Sequence, residues 1–165
     1  MSEFDPGSED HGSYEEPTHD EHVIVAQFTD GSQIGVADYD HDGYADVLAS
    51  DEDGDGSPEV VYTNEHGGVA LDTAYVDADE NGYPEHVYVD SNEDGIIDAA
   101  AHDTNHDGRL DYAEIDNNYD GQVDEVRFDP NGDGEIDKTV TDEDYDGVFD
   151  TVHYGDPDTN PYTRA

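Results

Sequence analysis

Carboxylates and side-chain amides recur along this chain at a spacing suited to holding hard cations. The motif is Asp-x-Asp/Asn-x-Asp/Asn-Gly-x-x-Asp/Glu, repeated every thirteen residues between Asp38 and Asp150. The first copies offer Asp38, Asp40, Asp42 and Asp46, then Asp51, Asp53, Asp55 and Glu59. After a gap come Asp77, Asp79, Asn81 and Glu85, then Asp90, Asn92, Asp94 and Asp98. Next are Asp103, Asn105, Asp107 and Asp111, with Glu114 three residues on, and Asp116, Asn118, Asp120 and Asp124. The last two copies give Asp129, Asn131, Asp133 and Asp137, then Asp142, Asp144, Asp146 and Asp150. Ca²⁺ takes about six to eight oxygen ligands at ~2.3–2.6 Å. Alternate residues 1, 3 and 5 turn inward when the chain curls about an ion. Glycine at position 6, present in all eight copies, allows the positive φ of a sharp turn. The carbonyl of position 7 then faces the ion, and the position-9 carboxylate closes the site directly or through water. A ninth slot, at Asn64, keeps the length but has too few ligands, and is expected to be a metal-free turn.

The stretch Asp103-Thr104-Asn105-His106-Asp107-Gly108-Arg109-Leu110-Asp111-Tyr112-Ala113-Glu114 resembles a complete EF-hand loop, with an apolar residue at position 8 and Glu114 at position 12. The resemblance implies a bidentate role for Glu114. The other copies carry Ala49, Tyr62, Tyr88, Ala101, Arg127, Val140 and His153 at position 12. The likeness therefore covers the loop and not a helix–loop–helix. Tandem short Asp-rich loops are similar to thrombospondin type 3 repeats and to bacterial calcium-binding acidic-repeat proteins. Residues 51–62 resemble the calcium hairpins of integrin-type propellers.

The charge balance points the same way. The chain of 165 residues has 47 acidic side chains against 4 Lys and Arg, a formal net charge of −43. Such a composition ordinarily gives disorder, but disorder does not require a glycine in fixed phase. Five of the thirty-two ligand positions are Asn, so 27 of the 47 acids occupy them. Eight divalent ions would leave a net charge of about −27. Nucleic acid and anionic membranes are poor partners, since both would be repelled, and neither nucleic-acid binding nor membrane insertion is expected. Cysteine is absent, which removes disulfides and thiolate metal sites. No apolar run approaches a membrane span.

The elements that must position these loops are short strands. Positions 7–13 of each repeat are rich in apolar and β-branched residues, with 11 and 13 on one face of a strand. Strands of about five residues cannot stand alone and must pair with their neighbours. Glycine every thirteen residues leaves no room for a helix. Residues 1–21 are expected to be a disordered acidic tail. Residues 22–37 are expected to form a capping β-hairpin about Asp30-Gly31. Residues 38–154 are expected to form the repeat array, and 155–165 a frayed terminus. Tyr62, Tyr75 and Tyr88, all at position 12, make either an aromatic ladder or scattered half-exposed tyrosines.

The expected fold class is all-β, with tandem loop–strand repeats in a solenoid-like array; the alternative is an antiparallel meander with calcium loops at its hairpins. The expected function is that of a repeat protein folding on about eight Ca²⁺ ions, as a rigidified structural or binding module. A soluble calcium buffer or sensor is the alternative, and trivalent lanthanides suit the same oxygen ligands. No arrangement of His, Ser, Thr and acids reads as an enzyme site. His41 and His106, at position 4, are expected to face solvent. The first twenty residues lack the basic start and apolar stretch of a secretory signal. Calcium chemistry favours an extracellular or cell-surface setting, reached without a leader or after processing, with the cytoplasm as the alternative.

Overall fold

The computed structural model describes residues 23–155. The expected acidic tail, His22 of the hairpin and the terminus beyond 155 lie outside them. Eleven strands follow one another: β1 Val23–Gln27, β2 Gln33–Ala37, β3 Val47–Asp51, β4 Val60–Thr63, β5 Thr73–Val76, β6 His86–Val89, β7 Ala99–His102, β8 Tyr112–Ile115, β9 Glu125–Phe128, β10 Lys138–Thr141 and β11 Thr151–Tyr154. No helix occurs among the described residues, so none is long and apolar enough to cross a membrane.

Each strand pairs antiparallel with the next, giving one open sheet in sequence order. The topology is therefore the meander and not the solenoid-like array. The loops explain why. The N–H of position 9 donates to the carbonyl just before position 1, as in Asp46 to Ala37, Asp98 to Val89 and Asp124 to Ile115, at 2.8–2.9 Å. Each loop closes on itself as a hairpin, which reverses the chain. At ~4.8 Å between strands, the ribbon runs about 48 Å from β1 to β11.

Reversal changes which residues share a face. Position 10 pairs with 13, and 11 with 12, as in Thr73 with Val89 and Ala74 with Tyr88. Ala74 stands between Tyr62 and Tyr88, whereas Tyr75 pairs with Val61 and Val87 and so lies on the opposite face. The three tyrosines form no ladder. A different row crosses one face. His86 meets His102 with ring centroids 5.0 Å apart, His102 stacks on Tyr112 at 5.7 Å, and Tyr112 meets Phe128 edge-on at 5.3 Å. The Lys138 ammonium lies 4.9 Å over the Phe128 ring. Cross-strand pairs of this kind contribute roughly 0.2–1 kcal/mol each.

A sheet normally buries a face against a second layer. Here none is present among the described residues, and the buried hydrophobic residues are only Ala37 and Val126. What is buried instead is acid: Asp51, Asp72, Glu85, Asp98, Asp103, Asp111, Asp116, Asp124, Asp129, Asp137 and Asp142. Apart from Asp72, all of these occupy position 1 or 9 of an intact repeat.

Candidate metal centres

Each loop is built by its own ligands. The position-1 carboxylate accepts the N–H of the position-6 glycine in all eight intact copies, at 2.7–3.1 Å. Position 5 accepts the N–H of position 7 in all eight, at 2.8–3.1 Å. Position 9 reaches across to the N–H of position 2, as in Asp98 with Ser91 at 2.8 Å and Asp124 with Asn117 at 2.9 Å. Pro130 has no N–H to offer at that place, and Asp137 instead accepts from the Asn131 side-chain amide at 3.3 Å. Short side chains bonded to nearby backbone shape the turn and converge on its interior.

Two positions take left-handed backbone. The glycines at position 6 have φ of 84–100°. Position 4 is also left-handed in every loop, with φ between 56° and 79°, including the non-glycine His41, Glu80, Glu93, His106, Tyr119 and Tyr145. That second turn was not legible in the sequence, because position 4 carries no constant residue type.

The convergence is tightest in three loops. Donor oxygens of Asp38, Asp40 and Asp42 all lie within 4.8 Å of one another, as do those of Asp51, Asp53 and Glu59, and of Asp142, Asp144 and Asp150. Oxygens on opposite sides of a Ca²⁺ ion are about 4.8 Å apart, so these clusters fit it. In the loops from Asp90, Asp103, Asp116 and Asp129, position 3 is Asn, and among the described residues no three acids approach that closely. There the third oxygen-bearing side chain of the loop is an amide, Asn92, Asn105, Asn118 or Asn131. Glu114 stands elsewhere. It lies within β8, paired across to Ala100 and Val126, and accepts the Tyr112 hydroxyl at 2.6 Å. The structure does not bring it to the other ligands of its loop.

Two further clusters join different loops. Glu80 of loop 77–85 comes within 4.8 Å of Asp53 and Asp55, and His106 of loop 103–111 within 4.8 Å of Asp79 and Glu85. Both are position-4 residues; His106 is exposed, as expected, and also approaches the acids of the neighbouring loop. Hairpin reversal places alternate loops side by side on one edge, so spatial neighbours are twenty-six residues apart. The N–H of Asp77 donates to the carbonyl of Glu59, and that of Asp103 to Glu85, each at 2.9 Å.

The electrostatics show uncompensated charge. Partial burial, with Asp55 and Asp53 alongside, pushes the Glu80 carboxyl up to about 7. Asp146 and Asp150, with some burial, raise Asp144. The Glu52 N–H holds Glu59 below the usual carboxylate range, and burial pushes Asp103 up but the Gly108 N–H and its neighbours hold it below as well. The loop at 64–72 adds a histidine. His66 and Gly68 replace its ligands at positions 3 and 5, and His66 Nδ1 lies 3.0 Å from the Asp72 carboxylate. Burial pushes Asp72 up, but the N–H groups of Glu65 and His66, the Thr73 hydroxyl and His66 together hold it below the usual range. Asp129 Oδ1 is buried with no hydrogen-bond partner.

No family model, curated protein or solved structure matches the chain. The class rests on fold and site: an all-β meander whose loops carry acidic clusters able to hold metal ions.

Proposed function

We propose that this chain is a calcium-binding repeat protein that folds on about eight Ca²⁺ ions and serves as a calcium-rigidified structural or binding module. One observation carries the reading. Asp51, Glu85, Asp98, Asp103, Asp111, Asp116, Asp124, Asp129 and Asp142 are buried, and no Lys, Arg or His lies within 4 Å of their carboxylates among the described residues. The buried acid that has such a partner, Asp72, sits in the loop that lost its ligands. Buried charge without a counter-charge is costly, and a hard divalent cation in each intact loop supplies it. The buried, partnerless Asp129 Oδ1 is the same deficit at one atom. The module role follows from the weak class of site. With Glu114 outside its loop, every copy lacks the twelfth bidentate ligand, which favours affinities of ~10⁻⁴–10⁻³ M over the ~10⁻⁷–10⁻⁵ M of sensors.

A lanthanide reading is favoured by one feature: Glu80 adds a fifth carboxylate beside Asp51, Asp53, Asp55 and Glu59, which suits a trivalent ion. Calorimetric titration of metal-stripped protein with Ca²⁺ should give about eight ions per chain in the weak range. Uptake of no more than one or two would defeat the reading. Competition with Tb³⁺ separates the lanthanide alternative, because Tyr39, Tyr44, Tyr83, Tyr119 and Tyr145 lie within loops and should sensitise its emission.

A further inference from the structure

The cluster formed by Asp79, Glu85 and His106 differs in kind from the others. Its third donor is an imidazole nitrogen, and it comes from another loop. Two contacts hold the two loops together, and a third fixes Glu85 within its own loop. The Asp103 N–H donates to the carbonyl of Glu85, itself a cluster member, at 2.9 Å. The Tyr83 ring packs on Gly108, where an added Cβ would come within 3.2 Å of it. Ala78 N–H fixes the Glu85 carboxylate at 2.8 Å. Glu85 is buried, whereas Asp79 and His106 are exposed. The same use of position 4 recurs one loop earlier, where Glu80 meets Asp53 and Asp55.

Ca²⁺ is bound by oxygen, whereas a site with one imidazole and two carboxylates suits borderline divalent ions such as Zn²⁺. We propose that loop 77–85 is a composite Zn²⁺-type site whose imidazole ligand is supplied in trans by His106 of the adjacent loop. The inference rests on the preceding reading only in taking these loops as cation cradles. It makes the edge selective: one site prefers a transition metal while its neighbours keep Ca²⁺.

The test uses the ¹⁵N-labelled full chain in saturating Ca²⁺, titrated with ZnCl₂ while histidine side-chain resonances are followed. His106 should shift and saturate at one equivalent. His41, at the same position in the first loop of the other edge, should not follow. His106→Asn keeps a residue tolerant of left-handed backbone, which φ of 59° requires. That variant should weaken Zn²⁺ at this site by at least the roughly tenfold that losing even an outer supporting group costs, with Ca²⁺ uptake elsewhere retained. If His106 stays unshifted, or shifts no more tightly than His41, while calcium uptake is intact, this inference fails and the calcium reading stands. If His106 takes Zn²⁺ but the other loops take no Ca²⁺, the calcium reading fails and this one stands.

Discussion

One long edge of the sheet carries loops 38–46, 64–72, 90–98, 116–124 and 142–150. The other carries the turn about Gly31 and loops 51–59, 77–85, 103–111 and 129–137. On the second edge side chains join each motif loop to the next: Glu80 reaches Asp53 and Asp55, His106 reaches Asp79 and Glu85, and the Arg109 guanidinium donates to the Gly132 carbonyl. The first edge is interrupted. Loop 64–72 lies between two intact loops and satisfies its buried acid with His66. Side chains join loops on this edge too, as Glu93 against Gly68 and Gln122 against Gly147. The same motif thus gives an unbroken row of acidic loops on one edge and a row with one gap, at loop 64–72, on the other.

The largest effect should come from breaking a linked site. Asp107→Ala removes a ligand from a loop with intact neighbours on both sides. Asp146→Ala does the same in the last loop of the interrupted edge. In a repeat array a central break costs two interfaces and a terminal break one. Asp107→Ala should lower calcium occupancy by more than one ion and move the folding midpoint to higher Ca²⁺, whereas Asp146→Ala should remove one ion. Equal single-ion losses in calorimetry would show that the loops act independently and that the edges do not differ.

Repairing the interrupted edge should have the next largest effect. His66→Asp, Gly68→Asp and Val69→Gly together restore every position of the motif except the first, where Asn64 still offers an amide oxygen. A Cβ at position 68 would meet the Glu93 carboxylate, a flexible side chain that can swing aside. The triple variant should bind one more Ca²⁺ than the parent. No added ion would mean that the motif alone does not make a site.

A smaller effect is expected with pH. In the folded chain Glu80 is raised from 4.5 to about 7, and Asp144 is raised in the same direction. An acid with a raised folded pKa favours folding below its unfolded pKa, and that contribution is lost as pH rises through the folded value. Metal-free protein should therefore hold more strand at about pH 5 than at about pH 7.5, followed by far-ultraviolet circular dichroism. Saturating Ca²⁺ should reverse the order, because its ligands must be ionised. A metal-free chain that loses strand on acidification within this window would contradict the uncompensated charge on both edges.

The smallest effect is expected from Glu114→Gln. Its carboxylate lies on the sheet with Tyr112, so the variant should bind calcium as the parent does. A clear loss of affinity in one site would restore the EF-hand role that the resemblance implies.

Much of this was legible in the sequence. Gly43, Gly95 and Gly147 mark the sharp turns, and the runs at Val60–Thr63 and His86–Val89 read as strands because β-branched and aromatic residues end at acidic loops. The failed ligands of loop 64–72 were legible too. The winding was not, because a thirteen-residue period survives reversal of every second strand. That ambiguity hid the rest. A solenoid would align Tyr62, Tyr75 and Tyr88, but the meander turns Tyr75 to the other face. The approach of Glu80 and His106 to neighbouring acids was hidden, since those acids lie in loops that only the alternation of edges makes adjacent. Glu114 misled for a related reason: position 12 is in the strand here, beyond the reach of its loop.

The central claim is that metal ions supply the counter-charge this sheet lacks. At free Ca²⁺ tenfold above Kd, each site contributes ~1.4 kcal/mol, and eight contribute about 11 kcal/mol, as much as the whole stability of an ordinary domain. The most direct measurement is small-angle X-ray scattering with circular dichroism on the full chain at low ionic strength, in chelator and then across a Ca²⁺ titration. The account predicts an expanded, strand-poor chain in chelator that becomes compact and strand-rich as the ions bind. A chain already compact and strand-rich in chelator, and unchanged by Ca²⁺, would contradict it.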